Sequence, residues 1–260
     1  MDLGLAGQVA VVTGASRGLG RAIALKLAEE GMDVAIVARS KSLLETVQRE
    51  IEAKGRRVLV HVADLREPAA APAAIAAVTA RFGKLDLLVN NAGATRRGDF
   101  LELTDEDWAD GYALKFFGAM RMARAAWPHL KHSHGAIVNI AGVGGRTGSS
   151  EFTIGGSVNA ALALLTKALA DRGVADGVRV NAIHPGSIET ERFEARVQRY
   201  SAAHNLPRDD AYQAMLAEHG IARFGRPEEI GAMVAILASR PIEFVHGAVI
   251  DMDGGQTRSL

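Results

Sequence analysis

Short β-branched runs alternate with longer helical stretches along almost the whole of this chain, and that rhythm leaves few folds open. Val9 to Thr13 is an apolar run ending in a glycine loop, and Arg21 to Glu30 follows with helical spacing at Ile23 and Leu27, stopping at Gly31. Val34 to Val37, Val58 to Val62, Leu85 to Val89, Ala136 to Ile140, Val178 to Ile183 and Val249 to Asp251 are the later strand-like runs. Leu43 to Lys54, Ala69 to Phe82, Ser157 to Arg172 and Glu228 to Leu237 are helical segments between them, and Thr104 with Asp107 makes a capping start for a helix through Trp108. A strand that is apolar at every position has no face to give to water. Such strands, separated by helices, predict a parallel sheet covered on both sides.

At 260 residues the chain suits one α/β domain, with neither repeats nor a linker-like boundary. The segment 187–222 breaks the rhythm after a strand, as expected of a lid over a ligand site. Lys+Arg and Asp+Glu both number 30, so no long-range field draws nucleic acid or an anionic membrane. A near-neutral surface favours a homodimer or homotetramer. The absence of cysteine excludes disulfides and thiol chemistry, and the eight histidines lack metal-ligand spacing. No signal pattern opens the chain and no uninterrupted apolar run reaches membrane-spanning length, so a cytoplasmic location is expected.

Thr13-Gly14-Ala15-Ser16-Arg17-Gly18-Leu19-Gly20 joins the first strand to the first helix. Glycines there let backbone approach a pyrophosphate, which the helix N-terminus can hold through free amides and its positive dipole end. Asn90-Asn91-Ala92-Gly93 follows the fourth strand, and Asp64-Leu65 follows the third. Pro185-Gly186-Ser187-Ile188-Glu189-Thr190, Arg223 to Ile230 and Asp253-Gly254-Gly255 come later in order. With these motifs across nearly its whole length, the chain resembles the short-chain dehydrogenase/reductase family of the compact one-domain type. The resemblance implies a single Rossmann-like domain with a doubly wound parallel sheet of about seven strands. It implies that Gly14, Ser16, Arg17, Gly18, Leu19 and Gly20 line the phosphates. Asp64 and Leu65 would face the adenine, and Asn91, Ala92 and Gly93 the ribose. Pro185, Gly186, Ile188 and Thr190 would lie beside the nicotinamide.

An acidic side chain at the end of the second strand would bind a ribose diol and repel a 2′-phosphate. Here that place reads Ala38-Arg39, with Arg17 nearby in the glycine loop. Two guanidinium groups without a carboxylate favour NADP over NAD, because guanidinium pairs with phosphate in bidentate geometry. Arg39 as a solvated residue at a helix start is the other reading.

The family's active site uses a Ser, a Tyr, a Lys four residues after the Tyr, and an Asn on the neighbouring helix. Counting from Gly135 to Ile140, and back from Pro185-Gly186, places the Ser position on Gly142, the Tyr position on Gly155 and the Lys position on Asn159. Counting from Trp108 places the Asn position on Lys115. Amine and amide have therefore changed places between Lys115 and Asn159. A reciprocal exchange would bring the Lys115 ammonium to the cofactor pocket near Asn159; a lysine reaching for solvent is the alternative. Two glycines at 155 and 156 weaken a helix, so its start is expected at Ser157, and the space left by a phenol is open to a ligand or to neighbouring side chains.

Glu151 near Ser149 and Ser150, His184, Arg96 and Arg97, and Tyr200, His204 and Tyr212 in the lid are weaker candidates, each also readable as a packing or surface residue. Three functions stay open: an oxidoreductase with a non-standard proton donor, a catalytically inactive cofactor- or metabolite-binding protein or partner subunit, and non-redox chemistry in the same pocket.

Overall fold

The computed structural model describes residues 2–258. Seven parallel strands form one sheet in the order β3-β2-β1-β4-β5-β6-β7. They are β1 (Val9–Thr13), β2 (Asp33–Ala38), β3 (Val58–Val62), β4 (Leu87–Asn90), β5 (Ala136–Ile140), β6 (Arg179–Pro185) and β7 (Val249–Met252). The helices are α1 (Gly18–Glu29), α2 (Lys41–Glu52), α3 (Ala70–Phe82), α4 (Asp105–Tyr112), α5 (Ala119–Ser133), α6 (Thr153–Asp176), α7 (Glu191–His204), α8 (Arg208–His219) and α9 (Pro227–Ala238).

The uniformly apolar strands have two cores to fill. Ala10 and Val12 of β1 pack with Ile23 and Leu27 of α1, Val47 of α2 and Val234 of α9. Val9 and Val11 pack on the other face with Ile75 of α3, Met122 and Leu130 of α5, and Ala170 of α6. Period-two alternation thus sends successive residues of one strand into different layers. Strand order reverses between β1 and β4, so the loops leaving their C-terminal ends diverge and open a crevice.

Two features depart from the sequence expectation. The helix expected to start at Ser157 starts at Thr153 and runs through both glycines to Asp176. Neighbours occupy the space their side chains would need. A Cβ on Gly155 would fall inside the Phe152 ring, and one on Gly156 would lie 2.9 Å from the Gly144 carbonyl oxygen. Close packing of a turn against the helix outweighs the weak helix propensity of glycine. The second departure is a π-turn, Ala113–Gly118, between α4 and α5, which carries Lys115. The segment 187–222 holds α7 and α8, whose own small core is built from Phe193, Val197, Ala211, Met215, Leu216 and Phe224.

Candidate functional site

The crevice between β1 and β4 is locked by one hydroxyl. Thr13 Oγ1 donates to the Val89 carbonyl (3.2 Å) and accepts from the backbone N–H groups of Asn91 and Ala92 (2.9 and 3.0 Å). The Asn91 side-chain amide donates back to the carbonyls of Thr13 and Gly14 (2.9 and 3.3 Å). Gly14 turns with φ +66°, and a Cβ on it would lie 2.9 Å from the Ala92 Cα. A Cβ on Gly20 would overlap the Gly14 carbonyl oxygen. The loop therefore coils tightly against the 91–93 turn only because these positions lack side chains. Arg17 is the N-cap of α1 but caps it with no side-chain hydrogen bond, and no acid occupies the first turn. The first-turn amides of Gly18, Leu19 and Gly20 are left available to an anion, which fits a pyrophosphate.

The wall opposite is built from three distant segments. Gly186 N–H donates to Met252 O (3.0 Å), Gly225 N–H to Ser187 O (3.0 Å), and Glu189 N–H to Gly225 O (2.8 Å). Pro185 ends β6, and Ile188 is buried. Thr190 caps α7 by accepting from Phe193 N–H (3.3 Å). At the far end of the crevice, Arg39 lies 3.6 Å from Asp64 and is 68% exposed. Burial works against ionisation of Asp64, but the Arg66 N–H and the charges of Arg66 and Arg39 hold its carboxyl below the usual range. Leu65 is buried and packs in the core on the α5 side.

Lys115 turns inward. Its Nζ donates to the Ala141 carbonyl at 2.8 Å, and its stem covers Gly93, where a Cβ would lie 2.9 Å from Lys115 Cδ. Burial, with a smaller contribution from the Arg192 charge, lowers its ammonium from 10.5 to about 8. Asn159 is 2% exposed and lies against the next residue along: a Cβ on Gly142 would be 2.8 Å from Asn159 Nδ2. Asn159 Oδ1 is buried without a hydrogen-bond partner. Lys115 and Asn159 thus reach consecutive residues, Ala141 and Gly142, from opposite helices. The π-turn matters here because its wider coil changes which way residue 115 points.

The Phe152 ring lies over Gly155 and Gly144, and the Arg97 guanidinium lies 4.0 Å from its centroid. His184, 2% exposed, has Nδ1 3.3 Å from Asp251 Oδ1 but without hydrogen-bond alignment. Burial lowers its pKa, the Asp251 charge opposing and the Arg146 and Lys115 charges adding to the effect. Arg146 takes Asp251 Oδ1 at 2.8 Å. Arg96 pairs with Asp107, Tyr212 donates to Glu189 (2.7 Å), and Tyr200 donates to Glu218 while stacking on His204. Among the described residues no group of His, Asp and Glu could hold a metal ion.

Phe152, Arg192, Arg196 and Arg199 were not singled out by the sequence reading. A signal existed for the arginines: 192, 196 and 199 recur at helical spacing and so share a face of α7. Phe152 had none, since only the fold brings its ring over Gly155.

Residues 14–257 match the family model described as enoyl-(acyl carrier protein) reductase. An uncharacterised oxidoreductase of Mycobacterium tuberculosis, MT0954, is 39% identical over 252 residues, covering 96% of this chain and 92% of that protein. The 3-oxoacyl-[acyl-carrier-protein] reductase FabG of Staphylococcus aureus is 36% identical over 248 residues, covering 95% and 96%. Among solved structures, L-sorbose reductase from Gluconobacter frateurii, complexed with NADPH and L-sorbose, has a TM-score of 0.96 at 33% identity, with both chains fully covered. With that sheet order, that glycine cradle and these relatives over nearly its full length, the chain belongs to the short-chain dehydrogenase/reductase family of NAD(P)-dependent oxidoreductases.

Proposed function

We propose that this protein is an NADP-linked carbonyl reductase or alcohol dehydrogenase in which Lys115 takes the part that a tyrosine plays in its relatives. Gly142, Gly155 and Asn159 stand at the family's Ser, Tyr and Lys positions, so neither phenol nor serine hydroxyl is offered there. The observation carrying the reading is Lys115 itself: a partly buried ammonium, held by Ala141 O and beginning to release its proton at about pH 8. That is close to the operating range of a useful acid. NADPH, when bound, supplies the hydride that adds to the carbonyl carbon. Lys115 Nζ gives its proton to the carbonyl oxygen and is left as a neutral amine; in the oxidative direction the amine takes the proton. Asn159 orients the substrate oxygen or a water through its amide.

NADP rather than NAD fits Arg39 and Arg17, with no carboxylate at Ala38, and a relative of this fold holds NADPH. Gly14, Ser16, Gly18 and Gly20 cradle the pyrophosphate; Asn91, Ala92 and Gly93 back the ribose; Ile188 and Thr190 meet the carboxamide. The segment 187–222 closes over the substrate. The active species is a homodimer or homotetramer.

Fluorescence titration with NADPH and NADH, followed by NADPH oxidation over a carbonyl panel, tests the reading. Oxidation that falls by about a hundredfold or more in Lys115→Ala with NADPH affinity retained supports it. Equal turnover in that variant sinks it. A second reading rests on Phe152, whose ring fills the place above Gly155: the protein binds cofactor without turning it over. NADPH binding without oxidation of any carbonyl would favour that one.

A further inference from the structure

We infer that the substrate carries an oxyanion, a carboxylate or a phosphoryl group, remote from its reacting carbon, and that Arg97, Arg192 and Arg196 dock it. The inference rests on the oxidoreductase reading and names its substrate class. The three guanidiniums are anchored to loops leaving three neighbouring strands. Arg192 Nη2 donates to the Gly93 carbonyl (3.4 Å), beyond β4. Arg97 lies face-on to Phe152, beyond β5, at 4.0 Å from the ring centroid. Arg196 Nη1 donates to Ser187 Oγ (3.1 Å), beyond β6, and its Nη2 is 2.6 Å from His219 Nε2. Lys115 reaches the same Gly93 from below.

Like Arg17, Arg121, Arg124 and Arg179, these arginines hold no carboxylate among the described residues; what they add is closeness to one another, since the charges of Arg97 and Arg199 both act on Arg196. Elsewhere Arg21, Arg57, Arg66, Arg96, Arg146, Arg208 and Arg223 each hold a carboxylate within ion-pair distance. Among the described residues Arg97, Arg192, Arg196 and Arg199 form no such pair; the partners of the first three are a ring, a carbonyl or hydroxyl oxygen and an imidazole. Three of the lid's acids bind elsewhere: Glu189 to Tyr212, Glu194 to Arg208 and Glu218 to Tyr200. Desolvation lowers the Arg196 guanidinium, with Arg97 and Arg199 adding repulsion and Glu218 opposing them. Desolvation also lowers Arg97, with Glu151 opposing and Arg199 adding. Cations held close together at a crevice in a chain of zero net charge leave a local positive potential that a bound anion relieves. Planar guanidiniums from one face of α7 and from the loop after β4 suit the several oxygens of one carboxylate or phosphoryl group. Their anchors, Gly93, Phe152 and Ser187, follow the C-terminal ends of β4, β5 and β6, the edge of the sheet at which the crevice also opens.

The test uses calorimetry on the NADPH-saturated protein with matched pairs: 2-oxoglutarate against its dimethyl ester, and dihydroxyacetone phosphate against dihydroxyacetone. Tighter binding of one charged member by tenfold or more is expected, and that member identifies carboxylate or phosphoryl. Arg97→Gln and Arg192→Gln, both at exposed positions, are expected to erase most of the difference while leaving NADPH affinity unchanged. Arg196→Lys is expected to retain part of it. Equal binding of charged and neutral members, or a preference untouched by Arg97→Gln with Arg192→Gln, overturns the inference. Charged-ligand binding with no NADPH oxidation supports this inference and removes the oxidoreductase reading. Oxidation that proceeds equally on the neutral members does the reverse.

Discussion

Lys115 puts a charge in a desolvated place, and its chemistry has a measurable consequence for stability. Its pKa is about 8 in the folded chain and 10.5 when free, so folding disfavours the ammonium. The penalty is complete below pH 8, where both states are charged, and is gone above 10.5, where both are neutral. Lys115→Met is therefore expected to stabilise the protein by about 1–2 kcal/mol at pH 7, after allowance for the lost bond to Ala141 O. The gain should shrink as pH rises from 8 toward 10.5; chemical denaturation at pH 7 and pH 10 checks this, and an equal gain at both would deny that the ammonium is desolvated. For reduction the protonated form is the acid, so wild-type turnover should decline as pH rises through about 8. Phe152 and Gly155 make a second pair. Gly155→Ala sets a methyl into the Phe152 ring and is expected to destabilise by about 1–3 kcal/mol. In a Phe152→Ala background the same change should be near neutral, because the ring that forbids it is absent. A thermal double-mutant cycle without coupling would mean that the ring moves aside freely.

At the scale of elements, the strands were legible because their apolar runs have no polar face, and β1, β3 and β5 match their expected bounds. The Thr104–Asp107 capping box was legible for the same local reason: both hydrogen bonds lie within one turn. The start of α6 was not. Propensity charges Gly155 and Gly156 against a helix, whereas the packing of Phe152 and Gly144 on them is set by residues the local window does not weigh. The π-turn at 113–118 likewise has no sequence marker in this chain, yet it aims Lys115. Element α7 also carries an unfavourable charge for its proposed role. Glu191 Oε2 would be 3.8 Å from a Cβ on Gly18, beside the cradle for the phosphates, and its charge is felt by Arg21. A carboxylate near bound phosphate is repulsive, so Glu191→Gln is expected to tighten NADPH by about threefold to tenfold. Fluorescence titration at low salt measures it; unchanged affinity would place Glu191 away from the bound phosphates.

Over the whole molecule, the parallel sheet with a core on each face followed from the alternation of elements, whereas the strand order that opens the crevice did not, since right-handed crossovers allow more than one order. The site was legible only as far as backbone dictates it. Gly14, Gly20 and Asn91 stand where tight turns require them, but the contacts of Lys115 with Ala141 and of Arg97 with Phe152 join segments far apart in the chain. The outer surface carries the last consequence. The helix α6 is apolar and long enough, by length and composition alone, to cross a membrane. Its inner face (Ile154, Val158, Leu162, Thr166, Ala170) is buried within the fold. Its outer face leaves Leu164 71% and Val174 75% exposed, with Phe117 of the π-turn 42% exposed. Leu164 and Ala168 are four positions apart and lie on one side of the helix, with Val174 about 80° round from Leu164, and a small residue such as Ala168 allows close approach of another helix. Self-association across this face would bury both, and a two-fold contact presents each twice. Leu164→Arg is accordingly expected to shift the protein to a smaller species in light scattering and to lower its melting temperature in a concentration-dependent way. An unchanged mass in that variant would show that this face carries no self-association.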